Sequence, residues 1–272
     1  MSSYTVIGGK GFIGSEISKK LIENGHSVFI PDRDDSRLFT KKLGIVIYCA
    51  GAGDCKNSPI KVFKSNSLLL AEMLEKSDFN KMIYISSTRL YMGQEGTKES
   101  CDLSILEHDD RRLFNLTKLV SEELCLRSSK NVVIVRPSNV YGLALSSPLF
   151  LPAITRNAIN NKHVDMYVTS EYAKDYLSVL DLTDALYQLG LKNNLKYKIY
   201  NIASGINTTA RDIAKVLQDE TGCNINWVSG SADEYFPVND ICALKNEINF
   251  NPRNVLDDMK IMIKDFTEKL SK

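Results

Sequence analysis

The stretch "YTVIGGKGFIGSEISKKLIENG", residues 4–25, decides the fold. A short apolar, β-branched run ends at Gly8, a glycine-rich turn follows, and apolar residues then recur at helical spacing as far as Gly25. The run predicts a buried strand. Ile13, Ile17, Leu21 and Ile22 predict the buried face of a helix, which Gly25 stops as a C′ glycine. Across the junction Gly8, Gly11 and Gly14 form a GxxGxxG. Glycine there allows a tight turn and close approach of the main chain to a ligand, and the helix N-terminus presents unpaired amides to a pyrophosphate. A glycine triplet alone is a weak signal; the strand–turn–helix setting makes it a dinucleotide-binding one. Gly8, Gly11, Phe12, Ile13 and Gly14 are therefore candidate cofactor contacts.

Outward from this unit the same alternation continues. "SVFIP", "GIVIYCAG", "KMIYISS" and "NVVIVRP" predict further buried strands, and "SPIKVFKSNSLLLAEMLEKS" and "RRLFNLTKLVSEE" the helices between them. β-branched strands alternating with helices imply a parallel sheet covered on both faces, a doubly wound α/β fold. After Gly142 the pattern loosens. "LALSSPLFLPAITRNAINN" predicts a loop and a helix, "VDMYVTS" an extra strand, and "DYLSVLDLTDALYQLGL" a strand running into a helix. "KIYNIAS" restores a buried strand, "TTARDIAKVLQDETG" is a helix capped by Thr208 or Thr209 and stopped by Gly222, and residues 255–270 close the chain as a helix. The expected organisation is a dinucleotide-binding Rossmann-like core over residues 1–142, completed by about 176–203. A smaller C-terminal substrate-binding cap is expected from 143–175 and 204–272.

Composition narrows the classes of function. The 272 residues are 43% hydrophobic and 25% charged with a net charge of +1, and acids and bases are interleaved, which argues against a nucleic-acid or membrane surface. No apolar run approaches the roughly 20 residues a membrane helix requires. The opening "SSYTVIGG" lacks a basic n-region and an apolar h-region, so a cytoplasmic location is expected. Six cysteines without a CxxC are expected to be reduced thiols, and three scattered histidines form no metal-ligand cluster. At the end of the second strand, Asp32 fits the carboxylate that accepts from an adenosine ribose 2′-hydroxyl, favouring NAD. Arg33 beside it suits a 2′-phosphate, so NADP stays open.

In order along the chain, several segments resemble the extended short-chain dehydrogenase/reductase family, the NAD-dependent epimerase/dehydratase group acting on nucleotide sugars. "GGKGFIG" resembles its glycine motif. "YCAG" resembles its strand-end segment, implying cofactor contacts from Cys49, Ala50 and Gly51, and Asn66 falls at an asparagine usual in the next helix. "YISSTRLY" is similar to the segment carrying the catalytic Ser/Thr, which would be Ser87, with Thr88 and Arg89 facing substrate. "FNLTK" takes the place of YxxxK, so Lys118 is the implied lysine and Phe114 stands at the tyrosine. "RPSNVYG" and "KDYLSVLDLTDAL" resemble two later substrate-flanking segments, implying contacts from Asn139 and Lys174. The likeness spans about residues 4–220. It implies NAD, a nucleotide-sugar substrate, and a homodimer formed through the 58–76 and Phe114 helices.

Departures from the pattern limit the chemistry. Only about a dozen residues separate Asp32 from the "IVIYCAG" strand, so a trimmed sheet is expected. Thr88 and Arg89 replace the Asp-Glu pair of sugar 4,6-dehydratases, which removes the proton shuttle an elimination needs. Phe114 has no hydroxyl, and general acid–base catalysis contributes roughly 10²–10⁴-fold. The readings consistent with this are an epimerase or 4-ketoreductase inactivated at Phe114, or one using another donor such as Tyr91, Tyr141, His108 or water. A non-catalytic binding protein and a reductase of a non-sugar carbonyl are the alternatives.

Overall fold

In the computed structural model, which describes residues 1–144, 147, 149–229 and 234–270, the first half follows the alternation read from sequence. β1 (Ser3–Ile7) leads into α1 (Phe12–Glu23), then β2 (Ser27–Phe29) and β3 (Ile45–Tyr48). The next helical stretch runs as α2 (Pro59–Phe63), a π turn (Lys64–Leu68) and α3 (Leu69–Lys76), followed by β4 (Lys81–Ile85), α4 (Arg112–Arg127) and β5 (Val132–Pro137). Farther along come β6 (Asn139–Tyr141), α5 (Phe150–Asn160), β7 (His163–Met166), β8 (Ala173–Ser178), α6 (Val179–Leu191) and β9 (Ile199–Ile202). The chain closes with β10 (Asn207–Thr209), α7 (Ala210–Thr221), β11 (Asn224–Trp227), α8 (Cys242–Glu247) and α9 (Val255–Leu270).

Six strands form one parallel sheet in the order β2-β1-β3-β4-β5-β9. Side chains alternate between its faces. Tyr4, Val6, Ile47, Ile83, Val133 and Val135 pack with α1 and α6 on one side. Ile7, Val46, Tyr48, Met82, Tyr84 and Ile134 pack with α3 and its neighbours on the other. The doubly wound expectation is met. Between β2 and β3 the chain makes only a short 3-10 turn, Ser36–Leu38, so β2 is the sheet edge and the strand order reverses between β1 and β3. Ligands of open α/β sheets bind beyond the strand C-termini at such a reversal.

Three details differ from the sequence reading. Ile22 is 58% exposed; α1 buries Gly14, Ile17, Ser18 and Leu21, and Ile22 lies about 100° round the helix from Leu21. The 58–76 segment is interrupted by its π turn instead of running as one regular helix. Ile241, Leu244, Ile248 and Phe250, from the stretch expected in the cap, pack into the sheet-side core. A separate apolar cluster joins Leu151, Ile154, Met166, Ile213, Leu217, Met259 and Phe266, flanked by the β10-β8-β6 and β11-β7 sheets. Of the predicted loop after Gly142, Leu145, Ser146 and Pro148 lie outside the described residues. Thr209 caps α7 by accepting from the Asp212 amide, and Gly222 ends it at φ +67°.

Candidate active site

At the β1/β3 reversal the glycine turn closes on itself, with the Gly11 amide donating to the Gly8 carbonyl at 2.9 Å. Gly8 has φ +77°, and a Cβ there would come within 2.8 Å of the Ala50 nitrogen, while a Cβ on Gly14 would overlap the Gly8 carbonyl oxygen. Both positions therefore exclude side chains. Gly11 caps α1 with no side-chain hydrogen bond, so its first-turn amides face outward. In front lies a cleft of about 360 Å³, lined by Gly8, Gly11, Asp32, Arg33, Ala50 and Gly51 among others, Cys49 included. Asp32 accepts from Lys10 at 2.6 Å on the exposed rim, and Arg33 is exposed beside it. A glycine cradle under a helix N-terminus, with a carboxylate at the end of β2, fits a dinucleotide.

The loop after β3 is held from beneath by Asn66 on the π turn. Its Oδ1 accepts from the Ala52 amide at 2.9 Å, and its Nδ2 donates to the Ala52 carbonyl at 3.1 Å and to Thr117 Oγ1 at 2.9 Å. Ser121 Oγ donates to the Asn66 carbonyl at 2.9 Å. The π turn displaces one residue from regular helical register, which lets a fully buried side chain bridge the β3 loop and α4.

Lys118, 4% exposed, projects from α4 between the ends of β3 and β4. Its Nζ donates to the Ile85 carbonyl at 2.7 Å, and a Cβ on Gly51 would be 3.8 Å from it. Burial lowers its pKa to about 8, against the pull of Glu122 and nearby thiols, which favours the charged form. Phe114, one turn earlier, has its ring centre 5.8 Å from that nitrogen. Ser87 stands two residues beyond Ile85, capping a 3-10 turn by accepting from the Arg89 amide at 3.1 Å. Thr88 is buried in that turn. Lys118, Gly51 and Phe114 are thus brought together at the sheet's C-terminal edge.

The two tyrosines considered as alternative proton donors are engaged elsewhere. Tyr91 donates to Asn201 Oδ1 at 2.9 Å and accepts from Arg136, which itself pairs with Glu122 in the core. Tyr141 donates to Asp258 at 2.9 Å. His108 is exposed.

A second cavity of about 390 Å³ adjoins, lined by Phe12, Ile13, Arg111, Asn139, Tyr172 and Lys174 among others. Phe12 and Ile13 thus line this space, with the glycines on the cofactor cleft. Asn139 Nδ2 donates to the Asp175 carbonyl at 2.8 Å. Lys174 lies 4.7 and 4.5 Å from the Tyr172 and Phe236 ring centres, and burial lowers its pKa to about 8. Arg89 pairs with Asp109 at 2.7 Å and reaches Glu234 at 3.4 Å, so its charge is already compensated. Sequence reasoning passed over Arg111, Asp109 and Glu234. For Arg111 a signal existed: three residues before Phe114, it lies on the same side of the helix's first turn. Glu234 had none, since its partners Arg89 and Lys174 are far away in the chain.

Among the described residues no helix is long and apolar enough to cross a membrane, and no group of three His, Cys, Asp or Glu could hold a metal.

A model of the NAD dependent epimerase/dehydratase family matches residues 4–203. The putative UDP-glucose 4-epimerase of Methanocaldococcus jannaschii is 26% identical over 260 aligned positions, covering 80% of this chain and 82% of that protein. Among solved structures, MoeE5 in complex with UDP-glucuronic acid and NAD superposes with a TM-score of 0.85 at 18% identity, covering 98% of this chain and 99% of that one. UDP-glucose 4-epimerase with UDP-glucose from Thermotoga maritima superposes with a TM-score of 0.83 at 21% identity, with coverages of 98% and 99%. At these identities the structural likeness speaks to the fold.

Proposed function

Because the chain belongs to the NAD-dependent epimerase/dehydratase family, of the extended short-chain dehydrogenase/reductase type, we propose that it binds NAD and acts on a nucleotide sugar as an epimerase or 4-ketoreductase. The observation that carries this reading is Lys118, buried beside Gly51 and bonded to the end of β4 one turn after position 114. NADP is the alternative cofactor, and the exposed Arg33 is the residue that would favour it.

When bound, the nicotinamide supplies the hydride acceptor or donor. The chain's own residues do the rest. The glycine turn and the α1 amides would hold the pyrophosphate, and Lys118 would hold the ribose. Ser87 donates to the sugar oxygen whose charge grows during hydride transfer. Asn139 and Lys174 line the cavity that would receive the sugar nucleotide, while Arg89 would act through Glu234, the carboxylate it shares with Lys174, and Thr88 through the turn that carries Ser87. Phe114 fills the place of the proton-exchanging tyrosine without its oxygen, so the proposed enzyme is slow. Lys174, a cation in the wall of that cavity, supports a phosphate-bearing substrate over a neutral carbonyl compound. Phe114 itself supports a second reading, a protein that binds NAD and nucleotide sugar without turnover.

The proposed homodimer rests on an apolar face. Leu116, Val120 and Leu124 recur every fourth residue on α4 and are exposed, as are Ile60, Phe63 and Leu68 on the neighbouring helical stretch. Such a face is buried when helices of two copies pack.

The test is to purify the protein, quantify bound NAD after denaturation, and follow interconversion of nucleotide sugars by chromatography. Bound NAD with slow conversion supports the enzyme reading. Bound NAD with no conversion, in the protein and in its F114Y variant alike, leaves the binding-protein reading. Absence of both NAD and nucleotide-sugar binding overturns the proposal.

A further inference from the structure

We infer that Arg111 binds a carboxylate carried by the sugar ring of the substrate, so that the substrate class is a nucleotide-linked uronic acid; this rests on the nucleotide-sugar reading above. Four observations lead there.

The first is position. Arg111 is the N-cap of α4, and its guanidinium carbon lies 4.5 Å from the centre of the Phe114 ring. It therefore links the Phe114 ring, against which it stacks, to the cavity whose wall it shares with Asn139 and Lys174.

The second is how tightly it is held. A Cβ on Gly53 would come within 2.9 Å of Arg111 Nη2, so the guanidinium is packed between the Phe114 face and the main chain of the loop after β3. Its backbone amide is tied to Asp109 Oδ1 at 2.8 Å, which fixes the turn that carries it. A cation clamped on both sides is pre-organised and loses little side-chain freedom on meeting a partner.

The third is the balance of charge. Three cations converge on this region, Arg89, Arg111 and Lys174. Two carboxylates answer them: Asp109 takes Arg89 at 2.7 Å, and Glu234 reaches Arg89 at 3.4 Å and Lys174 at 3.8 Å while accepting from the Tyr172 hydroxyl at 3.0 Å. Among the described residues, no carboxylate lies within ion-pair distance of the Arg111 side chain. One positive charge is left over, and it is the one nearest Phe114.

The fourth is desolvation. Burial, aided by repulsion from Arg89, pulls the Arg111 pKa below its ordinary value, a sign that the site disfavours the bare cation. A desolvated cation without a partner is costly, and an anion delivered into the cavity removes that cost.

The geometry of the donor selects the anion. A guanidinium offers two parallel N–H groups that match a carboxylate. Because the cation stacks on position 114, its partner belongs on the sugar carbon next to the one that reacts, where a uronic acid carries its carboxylate. A diphosphate, joined through the anomeric oxygen, lies at the other end of the sugar.

The NAD-loaded protein is titrated calorimetrically with UDP alone and with two matched pairs, UDP-glucuronic acid against UDP-glucose and GDP-mannuronic acid against GDP-mannose. The acidic member of at least one pair is expected to bind at least about tenfold more tightly, the scale of one charge-assisted hydrogen-bonded pair. R111Q should remove that preference while leaving the neutral sugar's affinity in place, and R111K should keep part of it through a single ammonium contact. Thermal midpoint and NAD content of each variant report whether it folds, and the wild-type pairs decide the matter if it does not. Equal binding of acidic and neutral members overturns the inference, as does an R111Q variant that weakens both equally. UDP or neutral-sugar binding without an acidic preference leaves the nucleotide-sugar reading standing alone. Failure of every nucleotide ligand to bind removes that reading and this inference with it.

Discussion

The Lys118 ammonium lies 5.8 Å from the centre of the Phe114 ring and is anchored to the Ile85 carbonyl at 2.7 Å. The cation that would assist a phenol is in place, and the ring one helical turn away has no hydroxyl. Restoring that oxygen is the most direct probe of the proposed chemistry. F114Y is expected to raise turnover of the nucleotide sugar by roughly 10²–10⁴-fold, the usual contribution of a general acid–base. The phenylalanine ring already fills the volume, so the thermal midpoint should change little. Steady-state kinetics of both proteins decide it, and equal rates would sink the idea that the missing phenol limits catalysis.

Lys118 also predicts a pH dependence of stability. Its pKa is lowered from 10.5 to about 8 by burial. Between those values the unfolded chain holds a proton that the folded chain does not, so stability rises with pH across the window and the burden is fully present below pH 8. K118M lacks this burden. Its stability relative to the parent should therefore decline by about 3 kcal/mol from pH 7 to pH 10.5, a linkage estimate from the shift. Urea unfolding at several pH values measures it; a difference constant with pH would contradict the buried charge.

Gly14 tests the cradle. G14A places a methyl group against the Gly8 carbonyl oxygen, where the neighbours are main chain and cannot turn aside. The expected result is a loss of several kcal/mol, on the order of the larger single-site effects, together with loss of bound NAD. Retention of NAD at parental stability would show that the turn is looser than described. G25A is the control, because its Cβ would meet nothing within 4 Å, and its cost should be confined to the φ of +76°.

The exposed stripe on α4 predicts an assembly. Placing glutamate at both Leu116 and Val120 should convert a dimer into a monomer, read by light scattering after size exclusion. Both residues point away from the core, so monomer fold and circular dichroism should persist. A parent protein that is already monomeric at micromolar concentration would remove the proposed dimer.

Much of the molecule was legible along the chain because it depends on local periodicity. The alternation Tyr4, Val6 against Ile7 and Met82, Tyr84 against Ile83, Ile85 places each strand between two layers, and the helices between them show 3.6-residue spacing. The glycine triplet carries its own backbone requirement. Segments that bury little were harder to see. β6, β10 and β11 are three or four residues long and almost entirely exposed or half-exposed, so no run of apolar residues announced them. Ile22 misled because an apolar side chain next to a buried one need not share its face.

By itself, then, the sequence determined the strand–turn–helix unit, the parallel alternation, the placement of Lys118 one turn after a phenylalanine, and the family likeness those motifs carry. These are properties of spacing, and spacing is local. Only the tertiary structure decided how charges meet. Arg89 is answered by Asp109 and by Glu234, 145 residues away; Asn66 reaches across a π turn to hold the β3 loop; and among the described residues no carboxylate comes within ion-pair distance of Arg111 in the wall of the second cavity. The physical reason is that a chain position states the charge a residue has, while compensation and desolvation depend on what the fold brings within a few ångströms of it.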